Sequence, residues 1–346
     1  MKLSVMTLGD LVADPVTGHR PTPVERHRDI VDTAVLAEQA GFHGINIGEH
    51  HGLDYIFSAP PVILSAIGAR TEHLNLSTAV TLMANLDAWR AAEDYSTVDN
   101  LTGGGRVEIV AGRGNFFAST YTLFGQALDE SRARFDENID LLAELWHGEP
   151  VTWQGKFRAP IDGQRLQPTP VNTERVPLWI GGGSSPESAE LAARLGLGLM
   201  LPSAFGNPAT FRKVVDVYKE RFAEAGHAHE PKVGACWHAN IARTSQGAVK
   251  GWEPRYRYYF EFMRDLLAKV NPELPNFLKP FDYDWLRTQG PAIVGSPDEF
   301  VERLTKVSEM LDCDTNLLYM DMGGLPTGEF REQIELIGEQ VIPALP

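Results

Sequence analysis

The sequence predicts an α/β protein that folds as a single (β/α)8 barrel. Short β-branched segments alternate with amphipathic helical segments along the whole chain, which is typical of a parallel sheet. Eight strand segments can be counted, and eight βα units favour closure into a barrel, with an open doubly wound sheet as the alternative. The predicted strands are Lys2–Leu8, Gly44–Gly48, Leu74–Val80, Arg106–Ala111, Pro177–Ile180, Gly198–Leu201, Val233–Ala242 and Asn316–Met320.

The helices between these strands are predicted from their capping signals. Thr22–Glu25 (TPVE) and Ser296–Glu299 (SPDE) are capping boxes with proline at the first helical position. The first helix is expected to stop at Gly41 and the fourth at Gly148, since glycine is the usual residue just beyond a helix.

The 346 residues are predicted to form one domain, 1–346, with two insertions. The first, residues 149–176 after the fourth strand, contains a predicted hairpin over Val151–Phe157 with Gly155 at its turn. The second, residues 245–292 before the eighth strand, is expected to hold a helix and a lid-like loop. That loop, residues 270–292, is rich in proline and aromatic residues, a composition that favours a binding loop over a linker.

Composition excludes several classes of function. The net charge of −15 argues against nucleic acid and against an anionic membrane surface as partners. No stretch approaches the roughly 20 uninterrupted apolar residues that a membrane span requires. Cys236 and Cys313 lie in no metal or disulfide pattern, so we expect a reduced, cytoplasmic protein. The first strand ends without a metal ligand, and we predict no metal site.

Polar residues at the ends of the second and fourth strands are the first candidates for chemistry, because barrel active sites lie at the carboxyl ends of the strands. Glu49-His50-His51 ends an apolar strand, and an imidazole that titrates near neutrality suits proton transfer. A structural role for either histidine is an equal alternative. The fourth strand ends in Gly112-Arg113-Gly114, where the arginine could grip an anion.

A glycine and serine run follows the fifth strand. Gly183, Ser184 and Ser185 precede a predicted helix, whose free amide groups would form a phosphate cradle with the two hydroxyls. A tight turn is the alternative for such a run. Because this site and Arg113 lie on adjacent strands, one phosphate could contact both. Phe205, His238 and Met320 are weaker candidates for the lining of a substrate pocket.

Several of these motifs, in this order, resemble the bacterial luciferase-like flavin monooxygenases. The resemblance is carried by Glu49–His51, Arg113-Gly114, Leu123–Gly125, Glu130–Arg132 and Val294–Pro297. It covers nearly the whole chain except residues 149–176 and 245–292.

The resemblance implies a bound FMN, or a deazaflavin in some branches of the family. By resemblance, Arg113, Ser184 and Ser185 hold the flavin phosphate, and His50 lies near the reacting ring. Thr78, Ala79 and Val80 match a strand end that supports the flavin ring, often through a non-prolyl cis peptide.

The implied reaction is monooxygenation of a small organic substrate by oxygen, through a C4a-peroxyflavin. Reduced FMN would come as a co-substrate from a separate flavin reductase, since no nicotinamide motif is visible. A homodimer is expected from the resemblance as well. Gly112 stands where related enzymes can carry a reactive thiol, which puts light emission in doubt. Hydride transfer with a deazaflavin, or flavin binding without turnover, are the alternatives.

Overall fold

The structure is a computed structural model that describes residues 1–174, 177–182, 186–270 and 282–346. Within these residues, eight parallel strands pair in sequence order around a closed barrel, in which the last strand returns to pair with the first. The (β/α)8 prediction is confirmed, and each of the eight predicted strands is a barrel strand. They are β1 (Lys2–Thr7), β2 (Gly44–Ile47), β3 (Asn75–Thr78), β5 (Val107–Gly112), β8 (Leu178–Gly181), β9 (Gly198–Leu201), β10 (Val233–Ile241) and β12 (Thr315–Tyr319).

Two further strands in the same sheet were not predicted. β4 (Thr81–Leu82) continues the course of β3 and pairs in parallel with the end of β5. β11 (Ala292–Gly295) pairs with the last four residues of β10. β4 has only two residues, too few to show a strand period, whereas β11 has four, as many as β2 or β9.

Helices alternate with the barrel strands and cover the outside of the barrel. The predicted capping box at Thr22 forms, because Thr22 and Glu25 each bond to the other's backbone N–H, and Glu299 likewise accepts from the backbone N–H of Ser296. The helices are α1 (Pro23–Gln39), α2 (Pro60–Gly68), α3 (Ala88–Leu101), α4 (Ser119–Leu123), α5 (Ser131–Leu145), α6 (Pro186–Arg194), α7 (Arg212–Ala225), α8 (Ser245–Val270), α9 (Tyr283–Thr288), α10 (Pro297–Leu311) and α11 (Thr327–Leu336).

The hairpin in the first insertion is wider than predicted. β6 (Val151–Trp153) pairs in antiparallel fashion with β7 (Ile161–Gln164), so the second arm does not begin at Lys156. The Glu137 carboxylate of α5 accepts hydrogen bonds from the backbone N–H groups of Lys156 at 2.8 Å and Phe157 at 3.1 Å. These amides are therefore unavailable for a cross-strand ladder. The predicted extent of the hairpin, Val151–Phe157, was too narrow, whereas Gly155 does lie in the segment that connects the two strands.

The hydrophobic interior has two parts. Leu3 and Val5 of β1 pack in the layer between strands and helices. Met6 and Leu8 point to the other side, into an interior cluster that continues to the carboxyl ends of the strands. Several members of this second cluster come from α8, the long helix of the second insertion. The insertion therefore supplies part of the barrel mouth.

We expect Glu38 to stabilise the start of β3. Its carboxylate accepts hydrogen bonds from the backbone N–H groups of Glu72 (2.9 Å), His73 (2.6 Å) and Leu74 (2.8 Å). Glu38→Ala should lower the free energy of unfolding in urea by about 1.5–3 kcal/mol at pH 7, because hydrogen bonds to a charged acceptor are lost. Glu72→Ala, which removes an exposed carboxylate, is the matched control.

This stabilisation should depend on pH. The three N–H donors hold the pKa of Glu38 below its ordinary value of 4.5 in the folded protein, against the opposing effect of its partial burial. The contribution is therefore complete above pH 4.5 and is lost as pH falls through the lowered pKa of the folded state. If the difference in free energy of unfolding between wild type and Glu38→Ala stayed constant below pH 4, this assignment would be contradicted.

Candidate active site at the barrel mouth

His50 lies at the carboxyl end of β2 in an aromatic environment. Its ring stacks on Tyr55, with ring centres 4.0 Å apart and planes inclined by 15°, and meets the edge of Phe117 at 5.5 Å. Nδ1 of His50 is buried and has no hydrogen-bond partner among the described residues. Burial lowers the pKa of His50 to about 4, although the nearby Gly48 carbonyl opposes the shift. The imidazole is therefore neutral at physiological pH.

His51 is held by a carboxylate. Its Nε2 lies 2.7 Å from Oε1 of the buried Glu49, while Oε2 of Glu49 accepts a hydrogen bond from the backbone N–H of Leu82 at 2.9 Å. Phe124 packs edge-on against the His51 ring. Glu49, which sequence reasoning did not select, thus ties the end of β2 to β4 and orients His51.

At the end of β3, Thr78 makes its hydrogen bonds within the barrel wall, whereas the next two residues are partly exposed. The Thr78 hydroxyl donates to the Val110 carbonyl at 3.2 Å and accepts from the Val110 N–H at 3.0 Å, so its hydrogen bonds are made within the barrel wall. Ala79 and Val80 are partly exposed, and the peptide bond between them is cis, as the resemblance implied. A Cβ at Gly112 would lie 2.3 Å from Cγ2 of Val80, so only glycine lets β5 pass this strand end.

Arg113 follows Gly112 and is partly buried. Its backbone carbonyl accepts a hydrogen bond from the Tyr121 hydroxyl. Its guanidinium makes no hydrogen bond or salt bridge to any residue that the structure describes. A partly buried, unpaired cation beside a glycine-flanked strand end is suited to holding an anion.

The predicted phosphate cradle at Gly183, Ser184 and Ser185 lies outside the described residues. The helix that follows it, α6, begins at Pro186. Nη1 of Arg132 lies 3.4 Å from the Ser188 hydroxyl in the first turn of α6, while its Nε pairs with Asp136 at 2.9 Å. Arg132 is thus a second cation near the start of α6. It belongs to the Glu130–Arg132 motif of the family resemblance, but the sequence did not predict it as a site residue.

The three weaker pocket candidates separate into two groups. Phe205 and His238 lie together at the mouth, with ring centres 5.7 Å apart and planes inclined by 84°. Met320 instead packs in the layer between the barrel and the helices, so its assignment to the pocket was wrong. Side chains alternate along a strand, and Tyr319 takes the inward position beside it.

His238 is fully buried, and neither of its ring nitrogens has a hydrogen-bond partner among the described residues. Burial lowers the pKa of His238 to about 3. The nearby Ala204 carbonyl weakly opposes this shift, although it lies outside hydrogen-bond geometry. A buried polar group without a hydrogen bond lowers the stability of a fold by about 1–3 kcal/mol. Such groups are rare in native proteins, so the unpaired imidazole of His238 requires an explanation.

His50 and His238 belong to one closed circuit of rings at the mouth, which we call the aromatic girdle. On one side, successive ring centres from His50 to His238 lie 5.5, 5.2, 6.3 and 5.7 Å apart. On the other side, the rings of His238, Tyr319 and Tyr259 lie 5.8 and 5.6 Å apart, and the Tyr259 hydroxyl lies 3.5 Å from that of Tyr55. The girdle consists of His50, Phe117, Phe116, Phe205, His238, Tyr319, Tyr259 and Tyr55.

A buried charge network lies beneath the girdle. Nη2 of Arg26 contacts Oδ2 of Asp321 at 2.6 Å and Oδ1 of Asp10 at 3.7 Å. The Tyr319 hydroxyl donates to Asp10 at 3.2 Å, and the Thr7 hydroxyl donates to Asp321 at 2.6 Å. Burial raises the pKa of Asp10 to about 6 against the opposing charge of Arg26. The network joins the ends of β1 and β12 to α1.

No group of His, Cys, Asp and Glu that could hold a metal ion occurs in the described ranges. Among the described helices, none combines the length and apolar character that a membrane crossing requires.

Comparison with known proteins agrees with the fold and the motifs. The family model described as luciferase-like monooxygenase matches residues 1–312. The chain belongs to the luciferase-like monooxygenase family. It is accordingly an oxidoreductase of the monooxygenase class.

Its relatives include monooxygenases and an F420-dependent dehydrogenase. The monooxygenase RslO1 from Streptomyces bottropensis superposes with a TM-score of 0.85, at 25% identity and 99% coverage of both chains. An F420-dependent glucose-6-phosphate dehydrogenase of Nakamurella multipartita is 30% identical over 338 residues, which are 92% of each chain. The oxygenating constituent of 3,6-diketocamphane monooxygenase from Pseudomonas putida, solved with FMN, shares the fold, with a TM-score of 0.76, 17% identity and 100% and 99% coverage.

We expect His50 to remain neutral at pH 6. Burial disfavours the imidazolium in the folded protein, whereas the unfolded chain takes up a proton near pH 6.5. His50 should therefore destabilise the fold progressively as pH falls from 6.5 towards 4. A histidine-ring NMR titration, assigned with the His50→Gln variant, measures this directly. An imidazolium signal at pH 6 that vanishes in the variant would contradict it.

Proposed function

We propose that this protein is an FMN-dependent monooxygenase that oxidises a small organic substrate with oxygen. Reduced FMN would be supplied by a separate flavin reductase. Two side chains at one barrel mouth carry the proposal. The Arg113 guanidinium has no partner among the described residues, and the partly buried, neutral imidazole of His50 has a buried Nδ1 that also lacks a partner there.

The residues at the mouth fit the parts of FMN. Arg113 offers a cation for the phosphate, and Arg132 lies close to the start of α6, where further phosphate ligands are expected. Ala79 and Val80 present a partly exposed strand end against which a flat ring can pack. Reduced FMN bound there would supply two electrons to oxygen, of which one atom enters the substrate and the other leaves as water.

The chain's own residues would orient the reactants and keep water away. The aromatic girdle and α8 exclude solvent from the mouth, which protects an oxygen-activating reaction from wasteful release of peroxide. His50, being neutral, can accept a proton or a hydrogen bond through one ring nitrogen at pH 7. Glu49 fixes His51, so we assign His51 a positioning role and His50 the contact with the reacting atoms.

Hydride transfer with a deazaflavin is the second candidate function. It is favoured by the relative from Nakamurella multipartita, which is named an F420-dependent dehydrogenase. A phosphate anchor at Arg113 would serve either cofactor. Binding of FMN and F420 can be compared by calorimetry, and oxygen uptake with each reduced cofactor separates the two reactions: substrate oxidation that consumes no oxygen would favour the deazaflavin.

Arg113→Ala should weaken FMN binding by about 1.5–3 kcal/mol, because a charge-assisted hydrogen bond to phosphate is lost. Riboflavin, which has no phosphate, should be affected much less. Fluorescence titration with both flavins gives the two affinities, and Arg221→Ala on the outer surface of α7 is the matched control. Equal losses for FMN and riboflavin would remove Arg113 from the phosphate site.

His50→Ala should lower product formation by about 10²–10⁴-fold if the imidazole transfers a proton in the reaction. FMN affinity should be unchanged, since the phosphate anchors lie elsewhere. Oxygen that is reduced without oxidising substrate should appear as hydrogen peroxide, so peroxide per flavin consumed should rise.

His51→Ala is the control for that experiment. Loss of its contact with Glu49 should lower the melting temperature more than it lowers the yield of product per flavin. A His50 variant that keeps the wild-type product yield would show that its imidazole is structural.

A further inference from the structure

His238 has an unused hydrogen-bonding capacity that the proposed chemistry does not explain. It is 0% exposed, and both ring nitrogens lack partners in the described part of the chain. A core position of this kind is ordinarily occupied by an apolar side chain or by a histidine with bonded nitrogens. The two nitrogens therefore point to a ligand that contacts them in another state of the protein.

Four aromatic rings pack around His238. Phe205, Tyr256, Phe260 and Tyr319 lie with their ring centres 5.7, 5.3, 5.6 and 5.8 Å from the His238 ring. Phe205 stands edge-on to the imidazole and is partly exposed, whereas the other three rings are buried. The faces and edges of these rings favour a flat aromatic guest.

The girdle places His238 away from His50. Phe117, Phe116 and Phe205 connect the two histidines along one arc, and the three tyrosines connect them along the other. A molecule that lies along either arc would thus meet His50 at one end and His238 at the other. This arrangement suits a substrate with its reacting carbon near His50 and an anchoring polar group near His238.

Arg113, the unpaired cation at the mouth, is assigned above to the cofactor phosphate, and the buried charges near the girdle favour a neutral substrate. Arg26 and Arg255, the buried cations close to it, are already paired with Asp321 and with Asp14 and Glu329. The tyrosine hydroxyls are also occupied, since that of Tyr55 donates to Sδ of Met263 and that of Tyr319 donates to Asp10. A carboxylate would find no unpaired cation among these residues, whereas a neutral imidazole can pair with a hydroxyl or a carbonyl.

We propose that the girdle binds a planar aromatic substrate and that His238 hydrogen-bonds to a hydroxyl or ring-carbonyl oxygen on it. The proposal rests on the monooxygenase function above and names the substrate class for that site. His238 is a specificity-determining residue in this scheme, and Phe205 is the ring that must move to admit the substrate.

Calorimetric titration of the full chain with 1-naphthol and naphthalene tests the proposal. The two probes share a ring system and differ by one hydroxyl. 1-Naphthol should bind about tenfold more tightly than naphthalene, and more tightly than the aliphatic probe decanal. The titrations are run without flavin and again with saturating oxidised FMN, and naphthol should bind in both cases.

Two variants at His238 separate a ligand contact from a structural role. His238→Leu should abolish the preference for naphthol over naphthalene and should raise the melting temperature, because two unsatisfied buried nitrogens are removed. His238→Gln, which keeps a donor and an acceptor, should restore most of the preference. His73→Leu, at an exposed position before β3, is the matched control and should leave both readouts unchanged.

Several results would overturn the proposal. These are failure of naphthol to bind, equal affinities for the two ring probes, a preference that survives His238→Leu, or tighter binding of decanal. Displacement of naphthol by FMN would show that the girdle holds the flavin itself. Because the titrations need no turnover, they are independent of the Arg113 and oxygen-uptake experiments, which test the monooxygenase function.

Discussion

The pairing of β1 with β12 is the constraint on which the rest of this molecule depends. It joins Lys2–Met6 in register with Thr315–Tyr319 and so closes the barrel between the two ends of the chain. Because the barrel strands are parallel, all eight carboxyl ends lie on one side, and closure arranges residues 50, 113, 205 and 238 around one mouth. The Arg26 network reinforces the closure at the mouth, because it connects Asp10 after β1 to Asp321 after β12.

The barrel mouth combines neutral histidine rings that are shielded from water with a few charged side chains. The girdle and α8 bury His238 fully and His50 partly, and burial keeps both imidazoles neutral. Charges below them are paired within the buried network, whereas Arg113 stands unpaired among the described residues at the end of β5. This division suits a cofactor with an anionic tail and a reaction that must exclude water, and it is consistent with membership of the luciferase-like monooxygenase family.

The two insertions contribute differently to that mouth. The hairpin of residues 149–176 is anchored to the outside of the barrel through Glu137 and supplies no girdle residue. The second insertion supplies α8, whose Tyr259 completes the girdle. Residues 271–281 of the expected lid lie outside the described residues, and closure of residues 270–292 over the mouth stays a prediction, as does the homodimer.

The sequence by itself determined the eight barrel strands, the capping boxes, the end-of-strand motifs at His50 and Arg113, and the family. These are local signals: a strand period, a cap or a motif is written in neighbouring residues and needs no distant contact to be recognised. It did not determine which side chains meet. The width of the hairpin depends on a carboxylate from α5, the orientation of His51 on Glu49 and Leu82, and the outward position of Met320 on the register of β12. The aromatic girdle draws rings from six separate stretches of chain, so only tertiary structure, which brings distant residues into contact, could decide it.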